Sequence, residues 1–144
     1  MRMTLAVTVA AIFIGLGLLH LFWAAGGEAG KNAAIPQIRG APAFDPSAAA
    51  TALVAMLLFA AATVVALAGG VLRSPLPAWV ARAAAALLAT ILAARAIGDF
   101  RLLGFFKTRG GGRFAELDTY VYSPLCLALA LAIAAILFAR RAEA

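Results

Sequence analysis

The chain predicts an all-α fold: an antiparallel four-helix transmembrane bundle with two longer loops on one membrane face. Three observations carry that expectation. Of 144 residues, 65% are hydrophobic and only 12% charged, about half the charge of an ordinary soluble domain. Mean hydropathy is +1.02, more apolar surface than a water-soluble domain of this length could bury. The apolar residues also fall into four runs, each near the roughly 20 residues that cross a hydrocarbon core. The length suits one domain, 1–144.

The first run, 3–25, would rise roughly 35 Å as a helix, enough for a core of about 30 Å. Arg2 before an apolar stretch also resembles a secretory leader. The run is too long for that, and Trp23 would stand where a cut after Ala25 needs a small residue, so an uncleaved helix is expected. Gly26 to Phe44 reads as a loop, with Gly26-Gly27, Glu28, Lys31, Asn32, Pro36 and Pro42. Asp45-Pro46-Ser47 reads as a helix start, Asp45 capping free N–H groups and Pro46 taking the first helical position. The second helix is expected over 46–72. The tight connection Arg73-Ser74-Pro75-Leu76 makes helices two and three antiparallel neighbours, with the third over 77–98.

Asp99 to Tyr122 is a second long loop, carrying Arg101, Lys107, Arg109 and Arg113 around Gly110-Gly111-Gly112. Ser123-Pro124 opens the fourth helix, expected over 123–140 and stopped by Arg140-Arg141. From Pro124 it has only about 17 residues, the lower limit for spanning. An earlier start at Asp118, kinked at Pro124, is the alternative. Small residues recur every four positions: Ala81, Ala85, Ala89 and Ala93; Ala62, Ala66 and Gly70; Ala11 and Gly15. Such spacing lets helices approach closely in lipid, although alanine is abundant enough here to produce it by chance.

Four crossings put the first and third loops on one side. His20, Trp23, Arg95, Asp99, Arg101, Asp118, Tyr120 and Tyr122 therefore share a membrane face and are the candidate ligand-binding residues. The positive-inside rule gives little direction. Arg2, Arg73, Arg82, Arg140 and Arg141 oppose Lys31, Arg39, Arg101, Lys107, Arg109 and Arg113. Arg2 and the Arg140-Arg141 stop favour cytoplasmic termini.

The net charge of +6 comes from basic residues flanking apolar runs. It points to membrane lipids with anionic headgroups as partners and not to nucleic acid. One Cys excludes an internal disulfide or a four-thiolate metal site, and one His excludes ligation of a haem by two histidines within a single chain. No metal or cofactor is expected. Cys126 reads as an inert packed thiol.

His20 and Trp23 stand one turn apart. They form either a proton-handling or ligand-contacting His beside an aromatic wall, or an interfacial His with a belt Trp. Arg95 and Asp99, at i,i+4, read as a structural ion pair that could involve Arg101, or as a headgroup or carboxylate site. Gly104-Phe105-Phe106-Lys107 resembles an interfacial segment with rings in the boundary and Lys107 wet. Tyr120 and Tyr122 suit the aromatic belt, and Asp118 a cap or an Arg partner.

Three stretches resemble a known pattern: His20-Leu-Phe-Trp23-Ala24-Ala-Gly26-Gly27, then Gly98-Asp99-Phe100-Arg101-Leu-Leu-Gly104-Phe105-Phe106-Lys107, then Phe114-Ala-Glu-Leu-Asp118-Thr119-Tyr-Val-Tyr122-Ser123-Pro124-Leu125-Cys126. They are similar to a family of small bacterial four-helix membrane proteins described only as a domain of unknown function. The resemblance covers essentially the whole chain. It implies the four-helix layout and a bacterial inner membrane, and supplies no activity.

Two functions compete. The first is a non-enzymatic protein that binds a small ligand, a lipid or a protein partner at the loop face, with a lipid-like small molecule and another copy of the chain among the partners to consider. The second is a small membrane enzyme acting on a lipid or isoprenoid-like substrate, with His20 exchanging protons and Asp99 or Asp118 orienting or stabilising charge. A transport path ranks last, because helices two and four carry no ionisable residue near mid-membrane.

Overall fold

The computed structural model describes residues 1–38, 41–108 and 112–142, with no side chains over 140–142. Arg39, Arg109, Gly110 and Gly111, and the side chains of Arg140 and Arg141, lie outside the described residues. The elements are α1 (Arg2–Ala24), α2 (Lys31–Ala34), a short antiparallel ribbon of β1 (Gln37–Ile38) and β2 (Ala41–Pro42), α3 (Ala48–Gly69), α4 (Ala78–Ile97), α5 (Gly112–Leu117), a π-helical turn (Asp118–Tyr122) and α6 (Ser123–Ala142). Among the described residues, four helical stretches are long and apolar enough to cross a membrane: Arg2–Ala24, Ala48–Gly69, Ala78–Ile97 and Gly112–Ala139.

The bundle is an all-α ring. α1 packs most extensively on α3 and α4 on α6, and contacts of α3 with α4 and of α1 with α6 close it. Ala6, Val9 and Phe13 of α1 meet Ala61, Ala62, Val65 and Ala68 of α3, Ala85 of α4, and Leu129, Ile133 and Ile136 of α6. Lipid offers no hydrophobic drive between helices, so close packing of small and branched side chains must hold them. Of the residues at four-residue spacing, Ala62, Ala66 and Ala85 lie inside, Ala81, Ala89 and Ala93 are half-buried, and Ala11, Gly15 and Gly70 are exposed; Ala6 and Gly17 make the inner face of α1.

Two helix starts differ from expectation. Ser47, not Asp45, caps α3: its Oγ accepts from the Ala50 N–H at 3.2 Å. Asp45 is exposed and faces Lys31 at 3.8 Å. The fourth crossing does not begin at Ser123-Pro124, since the chain is helical from Gly112. Pro124 has no N–H for the Tyr120 carbonyl and its ring would crowd that oxygen. The π turn just before it widens the helix there, with Ser123 N–H donating to the Asp118 carbonyl. A helix that seemed barely long enough gains three turns without breaking.

The first and third connections meet at one end. The Tyr122 hydroxyl donates to the Ala33 carbonyl at 3.1 Å, and α2 and β1 both contact α5. At the other end Arg2 Nε donates to Gly69 O at 3.2 Å and Arg82 Nη2 to Leu137 O at 3.4 Å.

Candidate functional site: an ionic knot and an apolar cavity

The polar residues at the loop end form two groups. The first surrounds Asp118, whose side chain has no exposed surface. Its Oδ1 accepts from Arg95 Nη2 at 2.7 Å and from Ser123 Oγ at 3.4 Å. Its Oδ2 accepts from the Gly104 N–H at 2.8 Å and from Lys107 Nζ at 3.1 Å. Lys107 also donates to Thr119 Oγ1 and to Gly104 O. Its side chain is 9% exposed, so the expectation of a wet lysine is overturned. An ammonium this buried needs a carboxylate, and Asp118 provides it.

The Gly98–Gly104 loop builds this knot. Gly98 stops α4 with φ +93°, which takes Asp99 off the helix before it can reach Arg95 at i+4. The expected Arg95–Asp99 pair is therefore absent, and Arg95 turns to Asp118. Asp99 Oδ1 instead accepts the N–H groups of Arg101, Leu102 and Leu103 at 2.7–2.9 Å. Those bonds, Leu103 first, hold its carboxyl at about 2, below the ordinary 3.8. A Cβ on Gly104, at φ +86°, would meet the Ile97 carbonyl and the Gly98 backbone. Glycine at that crossing lets Phe105 N–H return to Ala96 O at 2.9 Å and its own N–H reach Asp118.

The second group lines a cavity of about 410 Å³ beneath the first loop. α1 supplies His20 and Trp23, α2 supplies Lys31 and Ala34, and Thr51 and Val54 of α3 close the far wall beside Phe44. The lining is almost wholly apolar. Its polar groups are largely committed elsewhere: Trp23 Nε1 donates to Ala29 O at 2.8 Å and Thr51 Oγ1 to Ser47 O at 3.0 Å. His20 Nδ1 lies 2.8 Å from Leu16 O, and a carbonyl only accepts, so Nδ1 carries a proton. Trp23 stacks edge-on against the ring, centroids 4.9 Å apart. A volume of this size falls within the range of small-molecule sites.

Of the eight sequence candidates, Arg95 and Asp118 join in the knot and His20 and Trp23 in the cavity. Tyr122 links the two regions through Ala33 and rests against Phe114, centroids 6.0 Å apart. Asp99 serves its own loop, and Arg101 and Tyr120 are exposed. Loop parity puts the eight on one membrane face, and those that meet there do so in two clusters. Lys107, Ser123 and Gly104 were not among the candidates, nor were Lys31 and Thr51. No group of three or more His, Cys, Asp or Glu positioned to hold a metal occurs among the described residues.

A family model described as "Protein of unknown function (DUF3995)" matches residues 13–133, which takes in all three motif stretches and both clusters. The chain belongs to the DUF3995 family. No curated protein and no solved structure matches it. Within this DUF3995 chain the motif residues have legible structural tasks. Gly98, Asp99 and Gly104 shape the loop, Lys107, Asp118 and Ser123 tie it to the fourth crossing, and His20 and Trp23 face the cavity.

Proposed function

We propose that this multi-pass membrane protein binds a small amphipathic ligand in the cavity beneath its first loop. The observation that supports this is a half-enclosed apolar space of about 410 Å³ whose open hydrogen-bonding capacity rests with His20 and Lys31. An apolar wall with one or two polar groups at its rim suits a molecule that partitions into the membrane and keeps its head near the interface. The motif resemblance supports a bacterial cytoplasmic membrane, and Arg2 at the start of α1 supports cytoplasmic termini. Basic residues flanking the crossings suit contact with anionic headgroups.

The enzymatic reading draws no support from the geometry. Asp118 is enclosed and its oxygens are already engaged by four donors. Asp99 is committed to three backbone N–H groups. Neither lines the His20 cavity, so neither stands ready to share a proton with the imidazole there.

Native mass spectrometry of the full chain in mild detergent tests the binding reading. A small-molecule adduct is expected on the wild type and on Tyr120→Ala, and its loss is expected in Ala34→Phe, which fills the cavity. An adduct retained by Ala34→Phe would place binding elsewhere.

A further inference from the structure

The cavity's few polar groups impose a chemistry on whatever enters it. His20 Nδ1 is tied to Leu16 O, so the neutral ring offers Nε2 as a bare acceptor, and Nε2 has no partner among the described residues. Trp23 and Thr51 have spent their donors on Ala29 O and Ser47 O. Lys31 keeps donors to spare, since its link to Asp45 is 3.8 Å long and Asp45 is 90% exposed. The lining thus brings one hydrogen-bond acceptor and one donor into otherwise apolar walls.

We infer that the His20 cavity takes a long-chain alcohol, its hydroxyl donating to His20 Nε2 and accepting from Lys31 while the hydrocarbon lies against Trp23, Ile35 and Val54. A hydroxyl both donates and accepts, the two roles that these groups leave open. An ether accepts from Lys31 but leaves Nε2 unmet. A carboxylate would pair with the Lys31 ammonium but only accepts, so it leaves Nε2 unmet. A bare alkane desolvates both groups without replacing their water, a net loss. This inference rests on the cavity being a ligand site, and the experiment separates the two claims.

The full chain in mild detergent is photolabelled with four diazirine probes of one tail length, ending in a hydroxyl, a methyl ether, a carboxylate or a plain methyl. The alcohol should label peptides carrying His20, Ala34 and Val54 saturably, with an apparent affinity roughly tenfold above the ether's, the value of one well-placed hydrogen bond. In His20→Phe that preference should fall to near unity, while the alkane, which no longer desolvates the imidazole, should label more than in the wild type and so report that the cavity is still folded. Lys31→Met should reduce alcohol binding by a smaller factor. Equal labelling by alcohol and ether on the unaltered protein would overturn the inference without any variant. So would a carboxylate that outcompetes the alcohol, or a preference that survives in His20→Phe. Failure of all four probes to label these peptides saturably would remove the ligand site itself.

Discussion

Asp118 and His20 sit at the same end of the bundle in opposite chemical conditions. Asp118 is closed from solvent and meets Arg95, Lys107, Ser123 and a backbone N–H. His20 lines an open space, with one ring nitrogen on its own helix and the other unmet. Both are the kind of residue that suggests a site when found near a membrane. Their surroundings separate them. A buried charge whose hydrogen bonds are all spent holds elements together, whereas a half-buried group with capacity left over can meet a ligand.

The comparison breaks first at Asp118. Asp118→Ala would leave Arg95 and Lys107 facing each other without their carboxylate. We expect a loss of about 3–5 kcal/mol, the usual cost of removing one partner from a buried ion pair, read by denaturant unfolding in detergent. A loss under about 1 kcal/mol would mean that the knot is ornamental. Gly104→Ala comes next. The new methyl would sit at positive φ against the Ile97 carbonyl. We expect roughly 2 kcal/mol, with the Phe105 amide losing protection from hydrogen exchange.

Smaller effects sharpen the contrast. Tyr122→Phe removes the hydroxyl bond to Ala33, the strut between knot and cavity, and should cost about 1 kcal/mol while loosening α2. His20→Phe should cost no more than that, because it loses only the bond to Leu16. The smallest effect is a pH response at Asp99. Its carboxyl is lowered to about 2 by the loop N–H groups, so the native loop binds its proton less readily than the unfolded chain does. The stabilisation is complete above the ordinary 3.8 and fades as pH falls through about 2. Amide chemical shifts of Leu103, Arg101 and Leu102 should titrate together near the lower value, and a midpoint near the ordinary one would deny the loop its anchor.

The helices were legible because lipid imposes length and hydropathy directly on the sequence. Chain parity likewise brings the odd connections together, and Tyr122 bonded to Ala33 is the physical form of that meeting. What sequence spacing misread were contacts decided by backbone conformation. Arg95 and Asp99 are four apart, but Gly98 ends the helix between them, so helical periodicity stops applying where it was used. Ser123-Pro124 reads as a helix start, yet a π turn lets the helix run through it. Lys107 reads as a snorkelling residue because nothing local announces a carboxylate eleven positions away. The cavity was invisible for a related reason: its walls come from α1, α2 and α3, and empty space has no sequence signature.

The most direct test uses the two tryptophans, Trp23 in the cavity wall and Trp79 at the start of α4. In Trp79→Phe the indole of Trp23 reports alone. A brominated long-chain alcohol titrated into this protein in unbrominated phosphatidylcholine vesicles should quench it saturably, and Ala34→Phe should abolish the saturable component. Quenching that rises only in proportion to the probe, and is the same with Ala34→Phe, would show that the ring meets bulk lipid and that no ligand enters.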